Sequence, residues 1–358
     1  MSLPNDLLLS CVARVSILYY PTLSLVSKSF RSILTSPELY NARSVLGRTE
    51  SCLYVCLMSK PYLNSSCWFT LCRKPDKTSN NDDTSGYALA TVPITHSPRP
   101  HIPGLVAVGS DIYSIGVSSS VMILDCMSHT WREAPSLPVE PMGLSSSVLD
   151  GKIYVAAGSC EDSSKNLFEV FDTETQTWDP SKPIPCSKAK YDFAFSKSTC
   201  IDGKFHLVSH CHHDVIAYSP KEGRWDKVGN ELRDVFYTVS YCVVENVLYT
   251  NFHGVFKWFD TKPRVWRKLK GLVRLPKFPP SCRIQLADYG GKLAVLWVDQ
   301  SPCTSGDGYN KDKIWCAEIA LEKQQQESCE IWGEVEWFGH VLTVPATCRL
   351  EKVLAATL

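Results

Sequence analysis

No charge of one sign dominates this sequence: 37 lysines and arginines stand against 37 aspartates and glutamates in 358 residues. A protein steered to nucleic acid or to a membrane surface by its overall field is therefore not expected, and any partner has to be recognised locally. With 44% hydrophobic and 21% charged residues, the chain matches neither a disordered segment nor a membrane protein, and reads as globular with a substantial core. The start, Met1 to Ser10, lacks both a basic region and an uninterrupted apolar segment before a small-residue cleavage site, so no secretory leader is expected. The sixteen cysteines lack the even framework spacing of small secreted scaffolds and read as buried, reduced thiols. Both features point to the cytoplasm or nucleus, where the sequon Asn64 to Ser66 stays unmodified.

Catalytic signatures are also missing. The sequence has no Walker loop, no G-x-S-x-G elbow, no H-E-x-x-H and no C-x-x-C pair. The acidic pairs Asp82-Asp83 and Glu161-Asp162 fall in polar, loop-like runs and read as solvated surface. One stretch does carry metal-binding side chains in series: His210, Cys211, His212, His213 and Asp214. Consecutive residues of a strand point to opposite faces, so only alternate members such as His210 and His212 could share a ligand. A structural zinc would need two further ligands, and no second cluster at metal spacing supplies them. The stretch therefore reads as a polar rim loop that touches a partner, with no metal and no cofactor expected.

The first 47 residues differ in kind from the rest. Apolar residues recur at Leu7, Leu8, Cys11, Val12 and Val15, then at Leu23, Val26, Phe30, Ile33 and Leu34, in both cases at helical spacing. Pro21 separates two expected helices, and Pro37 is expected to close the second. So short a hairpin cannot bury both stripes alone, and part of its apolar surface should meet a partner. The segments "LPNDLLLSCVARV" and "YPTLSLVSKSFRSILTSPELY" resemble an F-box over residues 2–47. That resemblance implies that Leu3, Pro4, Leu7, Val26, Ser27 and Phe30 dock onto a Skp-family adaptor, and through it onto a cullin scaffold. Four basic residues against two acidic ones (Arg14, Lys28, Arg31 and Arg43; Asp6 and Glu38) would weakly favour an acidic partner.

A repeat fills the remainder. "LDCMSHTW", "FDTETQTW", "YSPKEGRW" and "FDTKPRVW" each end in tryptophan, at Trp131, Trp178, Trp225 and Trp266, spaced 47, 47 and 41 residues apart. Six residues earlier stand Asp125, Asp172, Ser219 and Asp260. Upstream of each lies a β-rich run entered by a tight turn, such as "DGKIYVAAG" or "DGKFHLVSH". Each unit reads as a small antiparallel meander that must stack on its neighbours to bury its faces, with the tryptophan filling the gap between units. The pattern resembles the kelch repeat, although its usual Gly-Gly is reduced to Gly116-Val117 and Gly158-Ser159 and then lost. Residues 48–358, at roughly 50 per blade, make about six blades. They are expected near 50–95, 104–138, 146–185, 193–229, 236–272 and 282–339, with "DQSPCTSGDGYNKD" and "LEKQQQESCE" as mobile insertions in the last. Blade one shows only three strand-like runs, so residues 347–357 are expected to supply its missing inner strand and close the ring.

The expected fold is thus mainly β, a six-bladed kelch-type β-propeller preceded by a small α-helical F-box, as in the plant F-box/kelch family that the whole chain resembles. The resemblance implies a non-catalytic substrate-recognition subunit of a Skp-cullin-F-box ubiquitin ligase, holding an unknown target protein on the propeller for ubiquitination and degradation. Two other readings are a non-degradative scaffold with a vestigial F-box and, behind it, a propeller enzyme. The loops expected to face the target carry Arg99, Lys188, Lys190, Tyr191, His210, His212, Arg233, Asp234 and Arg283.

Overall fold

The computed structural model describes residues 4–59, 66–74, 86–94, 97–159, 166–179, 193–209, 215–238, 240–280, 282–304, 310–324 and 330–358. Lys188, Lys190, Tyr191, the stretch His210 to Asp214 and Leu3 lie outside them.

Six four-stranded antiparallel sheets form a propeller. Their inner strands are Cys348–Thr357 in blade one, Leu105–Val108, Pro141–Leu149, Lys197–Ile201, Tyr241–Val244 and Ile284–Tyr289 in blade six. In blades two to six the chain runs outward strand by strand. Blade one takes its inner strand from the far end of the chain, where Cys348–Thr357 pairs with Ser51–Ser59 from Ser51↔Thr357 to Ser59↔Cys348. This pairing covers the edge that Ser51–Ser59 would otherwise expose at the seam.

The repeat has a local cause. The Asp125 and Asp172 carboxylates accept backbone N–H bonds from Met127 and from Glu174 and Thr175, and Asp260 does the same for Lys262, so each caps the turn into the fourth strand. The tryptophan that follows packs against the aromatic residues of its own blade, Trp178 on Phe171 and Trp266 on Phe259. Trp178 Nε1 also donates to Pro135 O and Trp266 Nε1 to Glu231 O, both at 2.8 Å, tying the outer strand to the connection that enters its blade from the preceding one. At the inner hairpins, Asp150 and Gly151 have φ of 50° and 71°, the mirror-image turn that right-twisted strands require.

Two expectations are corrected. Pro37 does not end the helical segment: Ser36 accepts a bond from Leu39 N, Pro37 occupies the first turn, and a further helix runs Pro37–Val45. The segment is therefore Asn5–Val12, a 3-10 turn Ile17–Tyr19, Tyr20–Leu23, Lys28–Leu34 and Pro37–Val45 rather than a two-helix hairpin. The described flanks of the blade-six insertions belong to the sheet, while their centres, 305–309 and 325–329, lie outside the described residues. Strands Lys292–Thr304, Asn310–Gln324 and Glu330–Pro345 are unusually long, and pairs such as Cys303↔Lys311 and Lys323↔Ile331 carry the ladder into those flanks. Ladder pairing gives these polar residues a strand conformation that composition alone does not suggest.

Candidate functional site

The helical segment packs against blades one and two. Val12, Ala13, Ile17, Tyr20, Leu34, Leu39 and Tyr40 share a core with Tyr54, Trp68, Ile112 and Leu124. Residues left out of that core mark a second surface: Leu7 is 56% exposed, Leu25 78% and Val26 64%. Pro4 is exposed and precedes the first helix. Ser27 caps the helix Lys28–Leu34, its Oγ accepting from Phe30 N at 3.2 Å, and Phe30 packs partly against the core. Of the six residues marked as adaptor contacts, Pro4, Leu7 and Val26 thus present exposed surface, while Ser27 and Phe30 also shape the segment itself. Leu25 was missed, although it lies next to Val26.

The opposite end of blade one carries a pocket. Strand Cys348–Thr357 spans ten residues, about 30 Å at the usual rise per residue. At its far end Leu358 exchanges backbone hydrogen bonds with Glu50, beside the helical segment. At its near end Cys348, Arg349 and Leu350 line a cleft of about 730 Å³ shared with blade six. Aromatic rings form one wall: Trp297 and Trp315 lie stacked with centroids 6.2 Å apart, and Phe278 stands edge-on to Trp297 at 5.1 Å. Trp315 Nε1 is buried and meets no acceptor among the described residues. The exposed Lys277, Arg283 and Arg349 supply positive charge at the rim, and Asp299 and Asp312 line the same cleft. Burial, then the neighbouring Asp299, raises the Asp312 carboxyl above its usual range. Arg283 makes no hydrogen bond or ion pair among the described residues. An aromatic wall with a guanidinium at its rim is the composition of a protein-binding hot spot.

The loop that brings Phe278 into the cleft passes close to Gly254. A Cβ there would stand 2.3 Å from Phe278 O, and Gly254 has φ of 80°. Only glycine satisfies both conditions.

Of the loop residues marked from sequence, Arg283 lies in this cleft. Arg99 is exposed on the connection into blade two. Arg233 and Asp234, at the junction of the turn Glu231–Arg233 and the helix Asp234–Tyr237, lie on the connection into blade five. Phe278, Trp297, Trp315 and Arg349 were missed. The available signal was a tryptophan at the loop end of a strand, as in "GGKLAVLW". Among the described residues no three His, Cys, Asp or Glu side chains gather as a metal site.

Comparison with known proteins agrees with this division. Residues 1–42 match the F-box domain and residues 68–342 the FKB95, Kelch-repeats domain. The chain is 57% identical over 375 residues to F-box/kelch-repeat protein At5g51250 of Arabidopsis thaliana, with both chains covered completely. It is 49% identical over 377 residues to F-box/kelch-repeat protein At4g39550 of the same plant, covering 99% of this chain and 93% of the relative. An F-box segment joined to a closed propeller of Kelch repeats is the architecture of a substrate-adaptor type protein, and the chain belongs to the F-box/kelch-repeat family.

Proposed function

We propose that this chain is the target-recognition subunit of a Skp-cullin-F-box ubiquitin ligase, working in the cytoplasm, the nucleus or both. Its exposed Leu7, Leu25 and Val26 dock onto a Skp-family adaptor that leads to the cullin, and the cleft around Trp315 and Arg283 holds the target protein. The chain contributes no chemistry; ubiquitin transfer belongs to other subunits. The observation that carries this reading is the strand Cys348–Thr357, which has the cleft at one end and the F-box junction at the other. A continuous strand inside a closed ring holds the two sites at a fixed separation. A bound target is then kept at high effective concentration near the ubiquitin donor.

The test is reconstitution with a purified Skp-family adaptor and cullin. Wild-type protein should capture both, while Leu7→Asp with Val26→Asp should lose both and keep the propeller's melting temperature. Adaptor capture that survives the double substitution, or is absent from the wild type, would favour the scaffold reading.

A further inference from the structure

The tryptophan wall of the blade-six cleft comes from one cross-strand pair. Trp297 of Lys292–Thr304 and Trp315 of Asn310–Gln324 stand directly opposite in the ladder, with their rings 12° from parallel. The two rings are not equally available. Trp297 is 5% exposed, covered by Trp315 and by the Phe278 ring, which stands 81° to it. Trp315, Phe278 and Phe338 are half-buried. The surface open to a ligand therefore belongs to these three, with Trp297 backing the first two. A rigid aromatic surface favours a large apolar side chain, above all another ring, which meets it edge to face or offset. The volume of about 730 Å³ has room for several residues rather than one side chain.

The charges around this wall are sorted by position. Arg283 directly precedes the inner strand of blade six, Ile284–Tyr289, and Arg349 is the second residue of the neighbouring inner strand, Cys348–Thr357. Both arginines are thus on the axial side of the cleft, and Lys277 joins them from the connection into the blade. Asp299 and Asp312 lie farther out, on the second and third strands. Lys277, Arg283 and Arg349 are exposed, and none of them makes a hydrogen bond, ion pair or ring contact among the described residues. Asp299 is already engaged. Three unpartnered cations therefore stand against one unpartnered carboxylate, Asp312. A guanidinium beside an apolar wall binds a carboxylate through two parallel hydrogen bonds, more strongly than it would in open water.

We propose, on the reading that this cleft is the target site, that it takes a short extended segment of the target in which an acidic residue neighbours a large apolar one. The apolar side chain lies on Trp315 and Phe278, and the carboxylate turns towards the axis onto Arg283 and Arg349. Asp312, on the outward side, disfavours a second acidic residue beyond the apolar one.

Calorimetric titration of acetylated, amidated peptides into the full chain at pH 7 tests this. Five probes place Phe in a Gly-Ser background with Asp before it, Asp after it, Lys before it, Lys after it, or Ser on both sides. The better of the two Asp peptides should bind the wild type roughly tenfold more tightly than the Ser peptide, and neither Lys peptide should gain over Ser. Arg283→Ser with Arg349→Ser should abolish that preference; both side chains are exposed and unpartnered, so the melting temperature should stay as in the wild type. Arg283→Glu with Arg349→Glu should turn the preference round in favour of Lys, which a purely structural role for the arginines would not do. Trp315→Ala should weaken all five peptides, and if it fails to fold, the charge reversal decides. Binding that depends on Trp315 but shows no preference for Asp over Ser and Lys overturns the acidic assignment and leaves the cleft as the target site. A preference that survives both double substitutions, or no saturable binding of any peptide, also overturns the proposal, while capture of the whole target by Trp315→Ala judges the cleft's role separately.

Discussion

Arg43 of the last F-box helix and Glu50, the residue before the first propeller strand, form an ion pair at 3.4 Å. The Arg43 side chain is 1% exposed. Its guanidinium also donates to Ala13 O, Val15 O and Tyr20 Oη at 3.2, 2.7 and 3.1 Å, and to Arg48 O at 2.5 Å. Glu50 Oε2 in turn accepts from Ser16 Oγ at 2.9 Å and Ile17 N at 2.8 Å. One guanidinium and one carboxylate thus tie the helix Pro37–Val45, the end of Asn5–Val12 and the turn into Tyr20–Leu23 to the start of blade one. A charge buried this deeply is stable only while its partners are present.

Arg43→Ala should therefore cost about 3 kcal/mol, because it strips three carbonyls, a phenol and a carboxylate of their donor at once. Glu50→Gln keeps an acceptor for Ser16 and Ile17 and should cost less, about 1 kcal/mol. Denaturant unfolding measures both, and limited proteolysis should open Leu46 to Thr49 first in Arg43→Ala. Wild-type stability in that variant would mean that packing alone joins the two units.

How much of this was legible in the sequence depended on whether the signal was local. The Asp-to-Trp repeat is local, since Asp172 caps its own turn and Trp178 packs on the adjacent strand, so blades could be recognised from spacing. The helix Pro37–Val45 is hard to read from sequence because proline usually ends a helix, whereas Ser36 before it makes Pro37 a first-turn residue. The described flanks of the polar tracts of blade six are strand because their partners lie across a hairpin. The cleft was the least legible feature: Phe278, Trp315 and Arg349 come from three separate segments, and only ring closure brings Arg349 beside the other two.

Removing the closing strand should be severe. Val353 and Leu350 are buried in the core shared by blades one and six, and the whole ladder to Ser51–Ser59 goes with them. A chain ending at residue 346 should aggregate or unfold cooperatively. Val353→Ala alone should cost about 1–2 kcal/mol. Analytical ultracentrifugation and thermal melting read both, and a monomeric truncation melting like the wild type would refute closure as the source of stability.

In the cleft, Trp315→Ala and Arg283→Ala should each weaken target capture at least tenfold, about 1.4 kcal/mol or more, while adaptor capture stays unchanged. Gly254→Ala should act at a distance. With φ of 80° and Phe278 O only 2.3 Å from the added carbon, the loop must move and take the Phe278 ring with it. Quantitative capture after proteasome blockade compares the three. Unaltered capture in all of them would remove the cleft from target recognition.

His206 supplies a pH dependence with a defined sign. It lies on the second strand of blade four, 5% exposed, with Nδ1 3.2 Å from Lys204 O. Burial pulls its pKa down from 6.5 to about 4. Between those values the unfolded chain binds a proton that the folded chain refuses, so stability falls as pH falls through this window. Across the whole window the loss is about 3 kcal/mol, at 1.36 kcal/mol per pH unit. His206→Gln keeps a polar side chain that does not titrate. Carboxylates titrate in both proteins, so the difference between the two isolates the histidine. Denaturant unfolding at pH 7, 6 and 5 should show the wild type losing about 2 kcal/mol more than the variant by pH 5. Parallel stability curves would show that His206 accepts its proton without cost in the folded blade.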